Sequence, residues 1–172
     1  MTLKKILLGA VAAAALTGAA AAQDWEAVDV KTEALRGNMH VLFGSGGNIG
    51  ISAGEDGVFI IDDQYAPLTD RIMAAIAKIS DKDIRFAINT HFHGDHTGGN
   101  ENMGSSDTVI VAHDRVRQRM SEGAFVKTFN MTMEPQPKAG LPIVTFNDEM
   151  SLHLNGEEAR IIHVANAHTD GD

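Results

Sequence analysis

Residues 88–100 read INTHFHGDHTGGN, which sets His91, His93, Asp95 and His96 within six positions of one another. The apolar residues 84–89 that lead into them read as a short strand. In an extended segment, residues two apart share a side. His91 and His93 are therefore expected to offer two imidazoles to one point, with Phe92 between them turned into the core. Gly94 permits a sharp turn that swings Asp95 and His96 toward the same region, and Thr97-Gly98-Gly99 suits a helix start or tight loop beyond it. The expected product is two neutral imidazoles for one ion, and a carboxylate plus an imidazole for a second ion beside it. Such donors suit zinc, and also iron or manganese.

Outward from this cluster, residues 39–43, 48–53 and 58–61 read as strands. Gly44-Ser45-Gly46-Gly47 and Gly54-Glu55-Asp56-Gly57 read as the hairpin-like turns between them. Pro67 and Thr69-Asp70 open a helix on which Leu68, Ile72, Ile76 and Ile79 keep helical spacing. Downstream, residues 107–112 read as a strand and 113–122 as a helix. Residues 124–142 show no period and read as a loop. Its Phe125, Phe129, Met131 and Met133 are expected to pack beneath it rather than to line a substrate cleft. Residues 143–146, 150–154 and 159–164 read as strands, with Asn155-Gly156 as a turn. There is no repeat, low-complexity segment or linker, and the order of elements predicts one mixed α/β layered domain.

The first 22 of the 172 residues have the layout of a secretory signal peptide: Lys4 and Lys5, a short apolar run over residues 6–16, then small Ala-rich residues before Gln23-Asp24. The run is too short to span a bilayer. Residues 23–172 are thus expected to form a single exported domain, periplasmic or secreted, without a stable membrane anchor after cleavage. The formal charge is −9, and −11 once Lys4 and Lys5 are removed, which disfavours binding to phosphate backbones. With no cysteine, the chain has neither a disulfide nor a thiolate to offer. Histidine and carboxylate are the only strong metal-binding side chains left.

The run THFHGDHTGGN resembles the H-x-H-x-D-H signature of the metallo-β-lactamase superfamily. That family places a further histidine later, in a short H-T-x-G-D run or similar, and Ala167-His168-Thr169-Asp170-Gly171-Asp172 matches it. Upstream strands ending in Ile60-Ile61-Asp62 match too. The resemblance is strongest at residues 90–99 and 167–172. It implies an α/β fold of the αββα sandwich type, with the chain covering roughly the N-terminal half to two-thirds. It further implies that His91, His93 and His168 bind a first metal and that Asp95 and His96 contribute to a second. Three histidines leave a fourth position for an attacking water, which zinc would acidify toward ~7. Asp95 would orient the hydroxide and accept its proton. Asp62 resembles the acidic position that holds a ligand histidine's free N–H, and fits a turn or helix cap equally well. His40, His113, His153 and His163 are read as structural.

The expected function is that of an exported zinc-dependent hydrolase, cleaving an ester, thioester, lactone or amide of a small-molecule substrate, with β-lactams in that set. Export counts against a glyoxalase II-like role, and the acidic charge against nuclease relatives. The family's second half, which completes the two-metal site, finds no match in these residues. The chain is therefore expected to be truncated at its C-terminus. The competing reading is a zinc-binding incomplete half-domain, or an inactive relative, without catalysis on its own. A redox metalloprotein carrying iron is a third.

Overall fold

Every side chain of Val58-Phe59-Ile60-Ile61 is apolar, as befits a strand buried on both faces. In the computed structural model, which describes residues 23–127 and 130–172, this strand, β4 (Gly57–Ile61), lies in the middle of a seven-stranded sheet. The expected export segment, residues 1–22, and Phe129 lie outside the described residues. Three antiparallel pairings join β1 (Lys31–Ala34), β2 (Met39–Phe43), β3 (Ile49–Gly54) and β4. Parallel pairings then join β4 to β5 (Ile84–Ile88), β5 to β6 (Val109–His113) and β6 to β9 (Val144–Phe146). Each parallel step needs a crossover. The first contains α1 (Thr69–Ile76) and the second α2 (Gly94–Thr97) with α3 (Asn100–Ser105). The third contains α4 (Asp114–Glu122) and a small hairpin, β7 (Ala124–Val126) with β8 (Met131–Met133).

The two sides of β4 feed two cores. Val58 and Ile60 pack with Ile49, Ile51, Ile72, Ile76 and Met103, so α1 and α3 cover one face of the sheet. Phe59, with Ile88 and Val111, meets Leu154 and the partly buried Leu152 and Ile161 on the other. These last come from the hairpin β10 (Glu149–Leu154) and β11 (Glu157–Ile162), a separate two-stranded sheet. The layers are thus helix, sheet and second sheet. Full burial of one Ile or Leu contributes about 1.5–3 kcal/mol, so each face holds its covering layer by several such residues.

Tight turns fasten the second sheet. Asn155, at φ +58 in the β10–β11 turn, donates through Nδ2 to Gly57 O (3.1 Å) and Ser52 Oγ (3.3 Å). Its Oδ1 accepts from the Asp56 amide at 3.1 Å.

Three expectations need correction. Residues 124–142 are not wholly loop, because β7 and β8 pair within them. Strands of three residues are too short to show a period. The expected helix 113–122 starts one residue later: His113 ends β6 and caps α4, its Nδ1 accepting from the Arg115 amide at 3.1 Å. The last strand ends at Ile162 rather than at residue 164.

Candidate metal centre

β4 and β5 run parallel, and their carboxyl ends deliver Asp62 and the segment Asn89-Thr90-His91 side by side. That edge is where open parallel sheets present their binding groups. Beyond β5 the chain bends at residues 90–92 rather than staying extended as expected, and only at His93 (φ −66, ψ 147) is it extended again before it winds into α2 at Gly94. The imidazoles of His91 and His93 still meet, edge to face, with ring centroids 4.9 Å apart. Phe92 turns the other way and packs with Ala112, Val116 and Met120.

His168 arrives from beyond β11. Its ring lies 5.0 Å from that of His91 and 4.9 Å from that of His93. His168 Nε2 faces His93 Nδ1 at 3.1 Å. One nitrogen from each of His91, His93 and His168 falls within 4.8 Å of the others. Donors about 2.0–2.1 Å from a tetrahedral zinc stand ~3.3 Å apart, so this set fits such an ion with modest closure. Asp170, next but one to His168, pairs with Arg119 of α4 at 2.8 Å and ties the loop to that helix.

Asp95 and His96 belong to the first turn of α2. His96 lies beside His91, with ring centroids 4.1 Å apart, and its Nε2 stands 3.4 Å from Asp95 Oδ2. The other nitrogen, Nδ1, meets Asp62 Oδ2 at 2.7 Å. Asp62 also accepts from the Thr90 amide and the Thr90 hydroxyl, each at 2.8 Å. That hydroxyl lies 3.0 Å from His91 Nδ1. Because it donates to Asp62, it accepts from His91, which puts the proton on Nδ1 and leaves Nε2 with a lone pair.

Burial shapes the charges. It pulls His91 down to about 4, helped by the neighbouring imidazoles of His96 and His93. His93 is lowered as well, by burial and then by His168. Burial acts downward on His96 too, but the hydrogen bond and charge of Asp62, with Asp95 and Asp172, outweigh it and raise that group. Asp63 is wholly buried, and burial lifts its carboxyl well above the usual range against the pull of the Gly99 amide. Its Oδ2 has no hydrogen-bond partner among the described residues.

The imidazoles open on a cavity of about 520 Å³ lined by Tyr65, Asp95, Met131, Met133 and Gln136. A second cavity, about 440 Å³, lies beyond His93 and His168 and is lined by Phe125 and Arg119. Met131 and Phe125 therefore face clefts rather than packing as expected, while Met133 does both, packing against the cluster of Phe92 and Met120 as it lines the first cleft. The two other histidines brought close together, His113 and His163, stack at 4.0 Å away from this centre. Both nitrogens of His113 are engaged, by Asn147 O and the Arg115 amide. Sequence reasoning missed Thr90, Asp63 and Gln64. The only local signal was a run of polar residues directly after an apolar strand.

A family model described as the metallo-β-lactamase superfamily matches residues 42–171. No curated protein sequence matches. Among solved structures, the chain is similar to a B3 metallo-β-lactamase described as the first with an active-site glutamic acid. Identity is 21%, the TM-score 0.65, and the match covers 81% of this chain and 54% of that one. It is similar also to the class B3 di-zinc enzyme LRA-12 from an Alaskan soil metagenome (15% identity, TM-score 0.69, 89% and 58% covered). A third is BJP-1 of Bradyrhizobium japonicum, a subclass B3 enzyme (20%, 0.60, 74% and 49%). The chain spans about half the length of these structures, and at such identities the likeness speaks for the fold. Family match, layered fold and histidine geometry agree: the chain belongs to the metallo-β-lactamase superfamily.

Proposed function

We propose that this chain carries the metal-binding half of an exported zinc-dependent hydrolase, one that cleaves an ester, thioester, lactone or amide bond in a small molecule, β-lactams included. The observation that carries this reading is the convergence of His91, His93 and His168 beside an open cleft. These three would hold the ion. The depressed pKa of His91 keeps its imidazole neutral at pH 7, so no proton need leave before it ligates. When bound, zinc supplies Lewis acidity and a water acidified toward ~7.

The chain's own groups divide the remaining work. Asp95, lining the cleft, is the group that orients the attacking water and takes its proton. His96, with Nδ1 committed to Asp62, turns Nε2 toward Asp95, and the two offer a carboxylate and an imidazole to a second ion. Met131 and Met133 give the cleft an apolar wall, while Tyr65 and Gln136 add hydrogen-bonding groups. This mixture suits an apolar molecule with one polar scissile bond. Export rests on the composition of residues 1–22; no described helix is long and apolar enough to cross a membrane.

The test is zinc binding by competition with a chromophoric chelator, for wild type and His91→Ala, followed by turnover of a chromogenic β-lactam and of simple esters and lactones. Zinc binding that depends on His91, with turnover of one class, is expected. Binding that His91→Ala leaves unchanged would sink the proposal. Binding without any turnover would favour the half-domain reading.

A further inference from the structure

Gln64 lies three residues past β4, is fully buried, and takes a left-handed backbone conformation (φ +56) that non-glycine residues seldom adopt. Such strain persists only where surrounding contacts hold it. Those contacts reach two other segments. Its Oε1 accepts from the Ser45 amide at 3.2 Å, and its Nε2 donates to Gly47 O, so the carboxamide clasps both ends of the glycine-rich β2–β3 loop. Its backbone carbonyl accepts from the Gly99 amide at 3.1 Å, at the end of the histidine motif.

The clasped loop lies directly on the second half of the candidate centre. A Cβ at Gly47 would overlap the His96 ring, and one at Gly46 would come within 2.5 Å of Asp95 Cβ. A Cβ at Gly44 would run into the Gln64 carboxamide itself. Only a loop of glycines can approach this closely, and only while it is held down.

We propose that Gln64 is a positioning residue: it clips the loop of residues 44–47 against Asp95 and His96, and so keeps the His96 ring turned with Nδ1 on Asp62 and Nε2 toward the cleft. This rests on the metal reading above, since the orientation matters when Nε2 is a ligand. Gln64 touches no reacting group in this role; it acts through the loop.

Nitrogen NMR of the imidazoles, on the full chain without and with zinc, tests it. Gln64→Glu keeps the acceptor for Ser45 but sets an oxygen against Gly47 O, and Gly47→Ala pushes on His96 from the other side. Both should lose the single Nδ1–H tautomer signature of His96, and with it the zinc-induced shift of that ring. The zinc-induced shifts of His91, His93 and His168 should remain. Should Gln64→Glu fail to fold, Gln64→Met, which keeps the volume and drops both bonds, takes its place. A folded variant in which His96 keeps its wild-type tautomer and shift overturns the proposal. If zinc moves no imidazole signal in the wild type, the metal reading fails instead. The tautomer contrast at His96 still decides the role of Gln64.

Discussion

Asp62 Oδ2 lies 2.7 Å from Nδ1 of His96, and the same oxygen takes the Thr90 hydroxyl at 2.8 Å. Through Thr90 it also governs His91, whose Nδ1 is 3.0 Å from that hydroxyl. One buried carboxylate thus fixes the orientation of two imidazoles from opposite halves of the candidate centre. It does so from a left-handed conformation (φ +65) at the end of β4, a geometry aspartate tolerates better than most residues.

Replacing Asp62 should therefore weaken metal binding without touching a ligand. Loss of such supporting contacts costs about 10–100-fold in affinity. Asp62→Asn keeps the shape and one acceptor, and is expected at the lower end. Asp62→Ala removes all three bonds and should reach the upper end, with a lower melting temperature as well. Chelator competition read beside thermal unfolding separates the two effects, and equal zinc affinity in all three proteins would refute the assignment.

Acid should destabilise the metal-free chain through His91. Its folded pKa, about 4, lies below the ordinary 6.5, so as pH falls the unfolded chain takes the proton first. The contribution is fully present above about pH 6.5 and disappears progressively down to about 4, amounting to at most about 3 kcal/mol. His93 acts in the same direction. His96, raised by Asp62 against burial, acts oppositely: its contribution is present below 6.5 and fades as pH rises through its folded value. Urea midpoints measured between about pH 7 and 4.5 should fall in the wild type and fall less steeply in His91→Asn. Parallel slopes would exclude His91 as the source.

His168 sits on an exposed stretch after β11, so its removal should leave the fold nearly intact. His168→Ala is expected to change stability by no more than about 0.5 kcal/mol, as surface substitutions usually do. Zinc affinity should nevertheless drop beyond the ~10–100-fold of a lost supporting contact. An unfolded variant, or one with wild-type affinity, would contradict this placement.

Asn155 should matter to the layering rather than to the centre. Asn155→Gly keeps the positive φ but removes the side-chain bonds to Ser52, Gly57 and Asp56. A loss of about 1–2 kcal/mol in urea unfolding is expected, at about 1 kcal/mol for each of the two part-buried bonds and little for the exposed one to Asp56. Unchanged stability would mean that the apolar contacts of Leu154 and Ile161 suffice.

Much of the architecture is legible in the sequence. β4, β5 and α1 carry strong periodic or continuous apolar signals, and the histidine motif announces itself through its spacing, although the chain bends at residues 90–92 where an extended segment was expected. The hairpin of β7 and β8 was not legible, because three residues per strand carry too little period. The turn at Gly44–Gly47 was legible, but its packing on Asp95 and His96 was not, nor were the roles of Thr90 and Gln64, since these lie in contacts between segments rather than within one. Gln64 and Gly47 stand 17 positions apart, and His168 and His93 75.

What the amino-acid sequence determined by itself is the chemistry on offer: imidazoles and carboxylates, no thiol, a strand end that aims two histidines one way, and a second histidine motif far downstream. What the tertiary structure alone decided is which of these groups meet. His113 and His163 look no different in composition from His93 and His168, yet they stack against each other with both nitrogens of His113 already bonded. His168 reaches His93 only because the β10–β11 hairpin docks on the sheet face and Asp170 anchors the following loop to α4. Spacing along a chain governs neighbours within a turn or a strand. Proximity across 75 residues is set by sheet register and by the packing of one layer on another.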